Sequence, residues 1–402
     1  MSASLPDAGV LAGEIGAARW YGGKGAAISA VSEEDRLELA DGVALHILRV
    51  ESPAGAPERY LYVTGEQRLA APLLAALAEG RASGDWSFEP GVVLPGLLPG
   101  TIDQRPIGLD QSNTTLVVSD RLALKLYRRL AAGPHPDIEI GRYLTESASV
   151  AFVPAYAGCV RWGDTAVAML QAYVAGAEEG WAWGARAVQD GDVSDIARLG
   201  ASTATLHRAL AQMSSRQAGA DEPDRWRREA EAQLERVLGL LDGAAKREME
   251  GYAPWLREEF AAFTRVPPPL LTRVHGDYHI GQVLRSRDGL RVVDFEGEPT
   301  KPLAERAALG TPLRDVAAML RSFDHLGRHV QRDLAPAAAV DTWIDEAREA
   351  FLGAYGEHDA MLLRALEVEK ETYEFVYAAT FLPEWMYAPL GGMRWLMGTP
   401  AP

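Results

Sequence analysis

The stretch Val274-His275-Gly276-Asp277-Tyr278-His279-Ile280-Gly281-Gln282-Val283-Leu284, followed by Val292-Val293-Asp294-Phe295-Glu296, holds the groups that phosphoryl transfer from a magnesium nucleotide requires. In that chemistry a carboxylate accepts the proton of the attacking hydroxyl, and a side-chain oxygen five positions later holds one magnesium ion. Asp277 and Gln282 stand in those two places. Magnesium takes hard oxygen ligands and only one or two carboxylates, leaving its other positions to water and phosphates. Asp294 and Gln282 meet that demand, and Glu296 is a further candidate ligand. Alternation along a strand puts Asp294 and Glu296 on one face. His275 reads as a residue that holds the loop by hydrogen bonds rather than one that moves a proton. His279, two residues past the proposed base, either points at the acceptor hydroxyl or caps the segment that follows.

The elements that must position these groups are legible around them. Apolar pairs Val283-Leu284 and Val292-Val293 flank the turn signal Ser286-Arg287-Asp288-Gly289, which predicts a hairpin returning Asp294 beside Gln282. Phosphate charge also calls for a strand lysine held by an acid on the next helix. Only Lys24, Lys125, Lys246, Lys301 and Lys370 occur in the chain, so Lys125 inside the apolar run Leu122 to Tyr127 stands out. Pro136-Asp137 marks a helix start. Glu139 on that helix is the expected partner of Lys125, with Asp137 as the alternative. The polar turn from Asp110 to Thr115 has neither a Walker lysine motif nor a glycine-rich fingerprint. It would cover phosphates through backbone amides and through hydroxyls such as Ser112 and Thr114. The apolar strand Ala166 to Val174 is placed to offer backbone groups to an adenine, with Gln171 and Tyr173 as the donors of those groups.

Further motifs follow in fixed order: Pro302-Leu303-Ala304-Glu305-Arg306, then Thr311-Pro312-Leu313-Arg314-Asp315-Val316-Ala317 and onward to Asp324, with Arg19-Trp20-Tyr21-Gly22-Gly23-Lys24-Gly25 near the start. With these, the chain resembles actinobacterial maltokinases and their sister group of glucosamine kinases over nearly its whole length. The resemblance implies an α+β, bilobal, protein-kinase-like fold of the aminoglycoside phosphotransferase type with an N-terminal cap subdomain. It implies Asp277 as catalytic base, Gln282 and Asp294 as magnesium ligands, and ATP and Mg2+ as cofactors. The expected organisation is a cap over 1–90, a nucleotide-binding lobe over 91–174, and a mainly helical lobe over 175–402 that carries the catalytic hairpin and the sugar-binding region.

The acceptor is read from the C-terminal region. Maltokinases carry a Lys-x-x-Tyr-Glu helix followed by an Asn/Arg-rich Arg-Pro-Asp-Trp turn. This chain keeps Lys370, Tyr373 and Glu374 but has Thr380-Phe381-Leu382-Pro383-Glu384-Trp385 at the turn, without the polar groups for a second glucose ring. An amino sugar carries an ammonium, which suits a carboxylate and an aromatic face. Glu384 and Trp385 supply both, and Asp315 is a further acidic candidate. The expected reaction is therefore phosphorylation of glucosamine to glucosamine 6-phosphate. A maltokinase making maltose 1-phosphate, an aminoglycoside kinase and a catalytically silent sugar- or nucleotide-sensing protein are the alternatives.

Composition bounds the partners. The chain of 402 residues has a formal charge of −16 and a pI near 5.0, which disfavours nucleic acid and anionic membrane. Its single cysteine, Cys159, lies in an apolar run and fits a reducing cytoplasm. The expected partner is a small-molecule sugar; the sequence leaves the oligomeric state open.

Overall fold

The structure is a computed structural model that describes residues 5–23, 27–53, 55–108, 113–333 and 337–398. It is mixed α+β and divides into two compact units, one formed by 1–176 with 298–307 and the other by 177–297 with 308–402.

The first unit is built on two antiparallel sheets. A four-stranded sheet orders Ala30–Ala40, Val43–Glu51, Glu58–Thr64 and Arg129–Leu130. A seven-stranded sheet orders Ala82–Ser83, Trp86–Pro90, Tyr156–Trp162, Thr165–Ala172, Leu122–Leu126, Thr114–Val118 and Gln104–Ile107. The chain passes from Leu122–Leu126 in the larger sheet to Arg129–Leu130 in the smaller, so residues 127–130 stitch the two together. Their apolar faces share a core in which Leu45, Ile47 and Leu61 join Leu124, Leu126 and Val167. Lys125 sits in the middle of this scaffold, opposite Thr115 on one side and Met169 on the other.

The second unit is mainly helical. Its central helix, Leu313–Asp333, packs against Ala337–Tyr355, Ala360–Phe381, Tyr387–Leu396 and Gly180–Asp190. Such enclosure explains why Val316, Ala317, Met319, Leu320, Phe323, Leu326 and Val330 are all buried. Charges that enter this core enter in pairs, as a low-dielectric interior demands. Arg321 lies 3.0 Å from Glu367, and Arg328 lies 3.3 Å from Asp324.

The hairpin read from the sequence is present as Val283–Ser286 and Gly289–Val292, with Val283 opposite Val292 and Ser286 opposite Gly289. Gly289 adopts φ +100°, a value that favours glycine. Among the described residues no helix is long and apolar enough to cross a membrane.

Candidate active site

The loop before the hairpin is held from beneath by one buried carboxylate. Asp315, in the first turn of Leu313–Asp333, accepts the N–H of His275 at 2.7 Å and that of Gly276 at 2.9 Å. Its Oδ2 also lies 3.2 Å from His207 Nε2, and His207 Nδ1 lies 3.0 Å from the Tyr355 hydroxyl. Burial alone pushes the Asp315 carboxyl upward, but His207, His275 and the Gly276 N–H outweigh it and hold the group below the usual carboxylate range. Asp315 is 2 % exposed, so the expectation that it contacts a sugar is corrected: it anchors the loop backbone.

His275 ties the same loop to the returning strand. Its Nε2 lies 3.0 Å from Val293 O, and its Nδ1 accepts the Asp277 N–H at 3.4 Å. Those two bonds fix the tautomer with the proton on Nε2. The His275 ring also packs on Phe295, with centroids 4.8 Å apart. Gly276 takes φ +83°, and a Cβ there would come within 3.2 Å of Gly297 Cα. Glycine at 276 is thus required twice over, by backbone conformation and by close approach.

Asp277 emerges from this frame partly exposed, with its Oδ2 4.0 Å from His279 Nε2. His279 Nδ1 accepts the Gly281 N–H at 3.1 Å, which leaves the proton on Nε2, the nitrogen that faces Asp277. Burial lowers the His279 pKa, with the Asp277 carboxylate opposing that direction, so the neutral ring is favoured near pH 7. Of the two functions left open for His279, the cap is present: the ring accepts at the turn Ile280–Gln282, while its Nε2 lies on the side of Asp277.

The hairpin brings the magnesium candidates together. Gln282 Nε2 donates to Asp294 Oδ2 at 3.2 Å, and the Val293 N–H donates to Gln282 O at 3.0 Å. Asp294 and Glu296 bring carboxylate oxygens within 4.8 Å of one another. Asp294 adopts φ +68°, a left-handed conformation that costs a non-glycine residue roughly 1–2 kcal/mol. A strained carboxylate kept beside a side-chain amide and a second carboxylate brings together groups that can supply hard oxygen donors to magnesium.

In the first unit, Lys125 Nζ lies 2.9 Å from Asp137 Oδ2, and the Tyr127 hydroxyl donates to the same oxygen at 3.1 Å. Of the two acids offered by that helix, Asp137, the alternative, is thus paired with Lys125. Asp137 is in the first turn of Pro136–Glu146 and 2 % exposed, where a short side chain reaches the strand directly. Thr114 Oγ1 accepts from Arg128 Nε at 2.8 Å. Ser112 lies outside the described residues. Gln171 is paired within the sheet opposite Ala123 and Tyr156. The Tyr173 N–H donates to Arg121 O at 2.9 Å, so of its two backbone groups the N–H is taken within the sheet.

The acceptor candidates lie in the second unit. Lys370 pairs with Glu374 at 2.8 Å and sits 4.7 Å from the Tyr373 ring centroid. Both charges lie close enough to His279 to act on its ionisation. Trp385 stacks on His329 with centroids 5.4 Å apart and planes 30° apart, while Glu384 before it is exposed. Trp181 was missed in the sequence: it stands perpendicular to Trp385, centroids 5.8 Å apart. The run Glu178-Glu179-Gly180-Trp181-Ala182-Trp183-Gly184 was the available signal, since it sets two tryptophans between glycines at the start of a helix.

Residues 103–366 match the phosphotransferase enzyme family. The chain belongs to that family. A glucosamine kinase of Streptacidiphilus jiangxiensis is 31 % identical over 345 residues, covering 79 % of this chain and 78 % of the relative. A glucosamine kinase of Mycolicibacterium smegmatis is 31 % identical over 320 residues, covering 71 % and 77 %. Among solved structures, a glucosamine kinase in complex with glucosamine, ADP and inorganic phosphate superposes with TM-score 0.78 at 27 % identity, covering 91 % of this chain and 95 % of that one. The family gives the Asp277 loop its chemical context: transfer of a phosphoryl group to an acceptor.

Proposed function

We propose that the protein transfers the γ-phosphoryl group of ATP to the primary hydroxyl of glucosamine, giving glucosamine 6-phosphate and ADP. The observation that carries the reaction class is the anchored loop: Asp277 is presented between a His275 fixed by two bonds and the Gln282–Asp294 pair. The acceptor rests on the likeness to two glucosamine kinases and on the aromatic and acidic side chains near Trp385.

In this reading Asp277 orients the acceptor hydroxyl and takes its proton, and His279 Nε2–H donates to the same substrate. Gln282, Asp294 and Glu296 would hold magnesium, which neutralises phosphate charge when bound. Lys125, set by Asp137, contacts nucleotide phosphate as a compact point charge. The hydroxyls of Thr114 and Ser112 would contact the phosphates, and Gln171 would border the base. Lys370, Tyr373, Glu384 and Trp385 contact the sugar. The organisation proposed is a cap over 1–90, a nucleotide lobe over 91–174 and a helical lobe over 175–402. One buried cysteine suits a reducing cytoplasm.

A coupled assay of ADP release with glucosamine, glucose, maltose and an aminoglycoside tests the reading. Glucosamine should give the highest kcat/KM. A preference for maltose, or ATP turnover with none of the four, would overturn it.

A further inference from the structure

The segment that leads into Gly180–Asp190 is bolted to the catalytic hairpin. The Glu178 N–H donates to Arg285 O at 2.8 Å, and the Arg285 N–H returns to Glu178 O at 2.9 Å. Trp183 Nε1 donates to Val283 O at 2.9 Å. A Cβ at Gly180 would fall 1.6 Å from Ile280 O, and one at Gly184 would fall 2.7 Å from Leu326 Cδ2, so both glycines permit this close packing.

The residue carried between these fixed points is Trp181. A Cβ built on Gly281 would lie 3.0 Å from Trp181 Nε1, 2.9 Å from His279 Nδ1 and 2.8 Å from His279 Cε1. Trp181 and His279 therefore converge on one backbone position, and His279 Nε2 is 4.0 Å from Asp277 Oδ2. On its other flank Trp181 is perpendicular to both members of the His329–Trp385 stack, at 84° and 86°. The three rings make a corner that is only half-buried, although tryptophans in a packed core are usually well covered. A half-buried corner of aromatic rings, joined to Asp277 through His279, suits a ring that carries a positive charge.

We infer that Trp181 is a specificity-determining residue for the acceptor: with Trp385 it forms an aromatic corner that receives the ammonium-bearing face of an amino sugar. The inference rests on the proposed amino-sugar kinase activity and assigns to Trp181 the selection of that sugar over its neutral counterpart. Phosphorylation of glucosamine and of glucose consumes the same nucleotide and differs only in the amine. A residue reading the amine changes the ratio between the two sugars.

The test compares the wild-type protein, Trp181→Ala and Trp181→Phe at saturating Mg·ATP, with glucosamine and glucose as acceptors. Trp181→Ala should raise KM for glucosamine about tenfold, the scale of a partly shielded cation–π contact. It should reduce the glucosamine-to-glucose ratio of kcat/KM by a similar factor and, in a separate series with ATP varied, leave KM for ATP unchanged. Trp181→Phe, which keeps a ring, should restore most of the preference. Should Trp181→Ala fail to fold, the wild type and the Phe variant are titrated with glucosamine while tryptophan fluorescence is followed: the wild type should show a change on binding, and that change should be lost or sharply reduced in the variant. An unchanged sugar ratio in a folded Trp181→Ala protein, or a fluorescence change in Trp181→Phe as large as the wild type's, sinks the role of Trp181 alone. A wild-type protein inert toward glucosamine removes the underlying activity and the inference with it.

Discussion

The loop around Asp277 and the aromatic corner around Trp385 belong to the same helical unit, yet they are fixed by different forces. The loop is over-determined: two of its backbone N–H groups end on the buried Asp315 carboxylate, and His275 ties it to Val293. The corner is held by ring contacts at centroid distances of 5.4–6.2 Å and is open to solvent on one side. Directional bonds in a low-dielectric interior allow one arrangement, whereas ring packing tolerates repacking. On the proposed reading the difference separates the tasks. Proton transfer and metal holding need geometry good to fractions of an ångström, while choice of acceptor can be altered by exchanging half-exposed side chains.

Four experiments are arranged to break or sharpen that contrast. The largest effect is expected from Asp277→Asn, which keeps size but removes the proton acceptor. Turnover should fall by about three orders of magnitude, with nucleotide affinity by calorimetry nearly intact; near-normal turnover would place the base elsewhere. Next is Asp294→Asn, which tolerates the same left-handed backbone but lacks the charge. Mg·ATP should bind more than about tenfold more weakly, and an unchanged calorimetric affinity would exclude Asp294 as a ligand.

Asp315→Ala comes third and tests the anchoring directly. It strands the His275 and Gly276 N–H groups in a buried place, so stability should fall by ~3 kcal/mol, with turnover reduced through loss of loop geometry. Denaturant unfolding measures the first effect. A variant as stable and active as the wild type would mean that the loop holds itself.

The smallest effect is a pH dependence. The folded-state pKa of His279 lies below its ordinary value of 6.5, so at pH 7 the ring is neutral in folded and mostly neutral in unfolded protein. As pH falls through 6.5 the unfolded state takes up the proton first, and stability declines until the folded-state pKa is passed. Activity should persist to below pH 6.5 and then fall, because a proton on Nδ1 breaks the bond from the Gly281 N–H. His279→Gln should lack that acid limb in a kcat/KM profile, and an identical limb in the variant would assign it to another group.

What the sequence disclosed and what it withheld divide along physical lines. The hairpin, the strand bearing Lys125 and the helix start at Pro136 were legible because turn chemistry and apolar patterning are local. The partner of Lys125 was not, since Asp137 and Glu139 are two residues apart on one helix and only the packing selects between them. Asp315 looked like an acid available to a ligand because burial cannot be read from a helix start; the turn before it aims its carboxylate at the backbone of residues 275 and 276. That the Tyr173 N–H is taken by Arg121 O was not legible either, because an apolar run does not show which of its backbone groups pair. Trp181 escaped notice for a different reason. Its neighbours at the site, His279 and Trp385, lie about a hundred and two hundred residues away in sequence, and only tertiary packing brings them together.

The central claim is that Asp277 faces the acceptor while Gln282 and Asp294 hold the metal of the nucleotide. Anomalous diffraction from crystals grown with manganese in place of magnesium, together with a non-hydrolysable ATP analogue, tests it most directly. The account predicts a peak bound by Gln282 Oε1 and an Asp294 carboxylate oxygen, with Asp277 on the acceptor side of the terminal phosphate. A manganese peak that neither residue touches would contradict it.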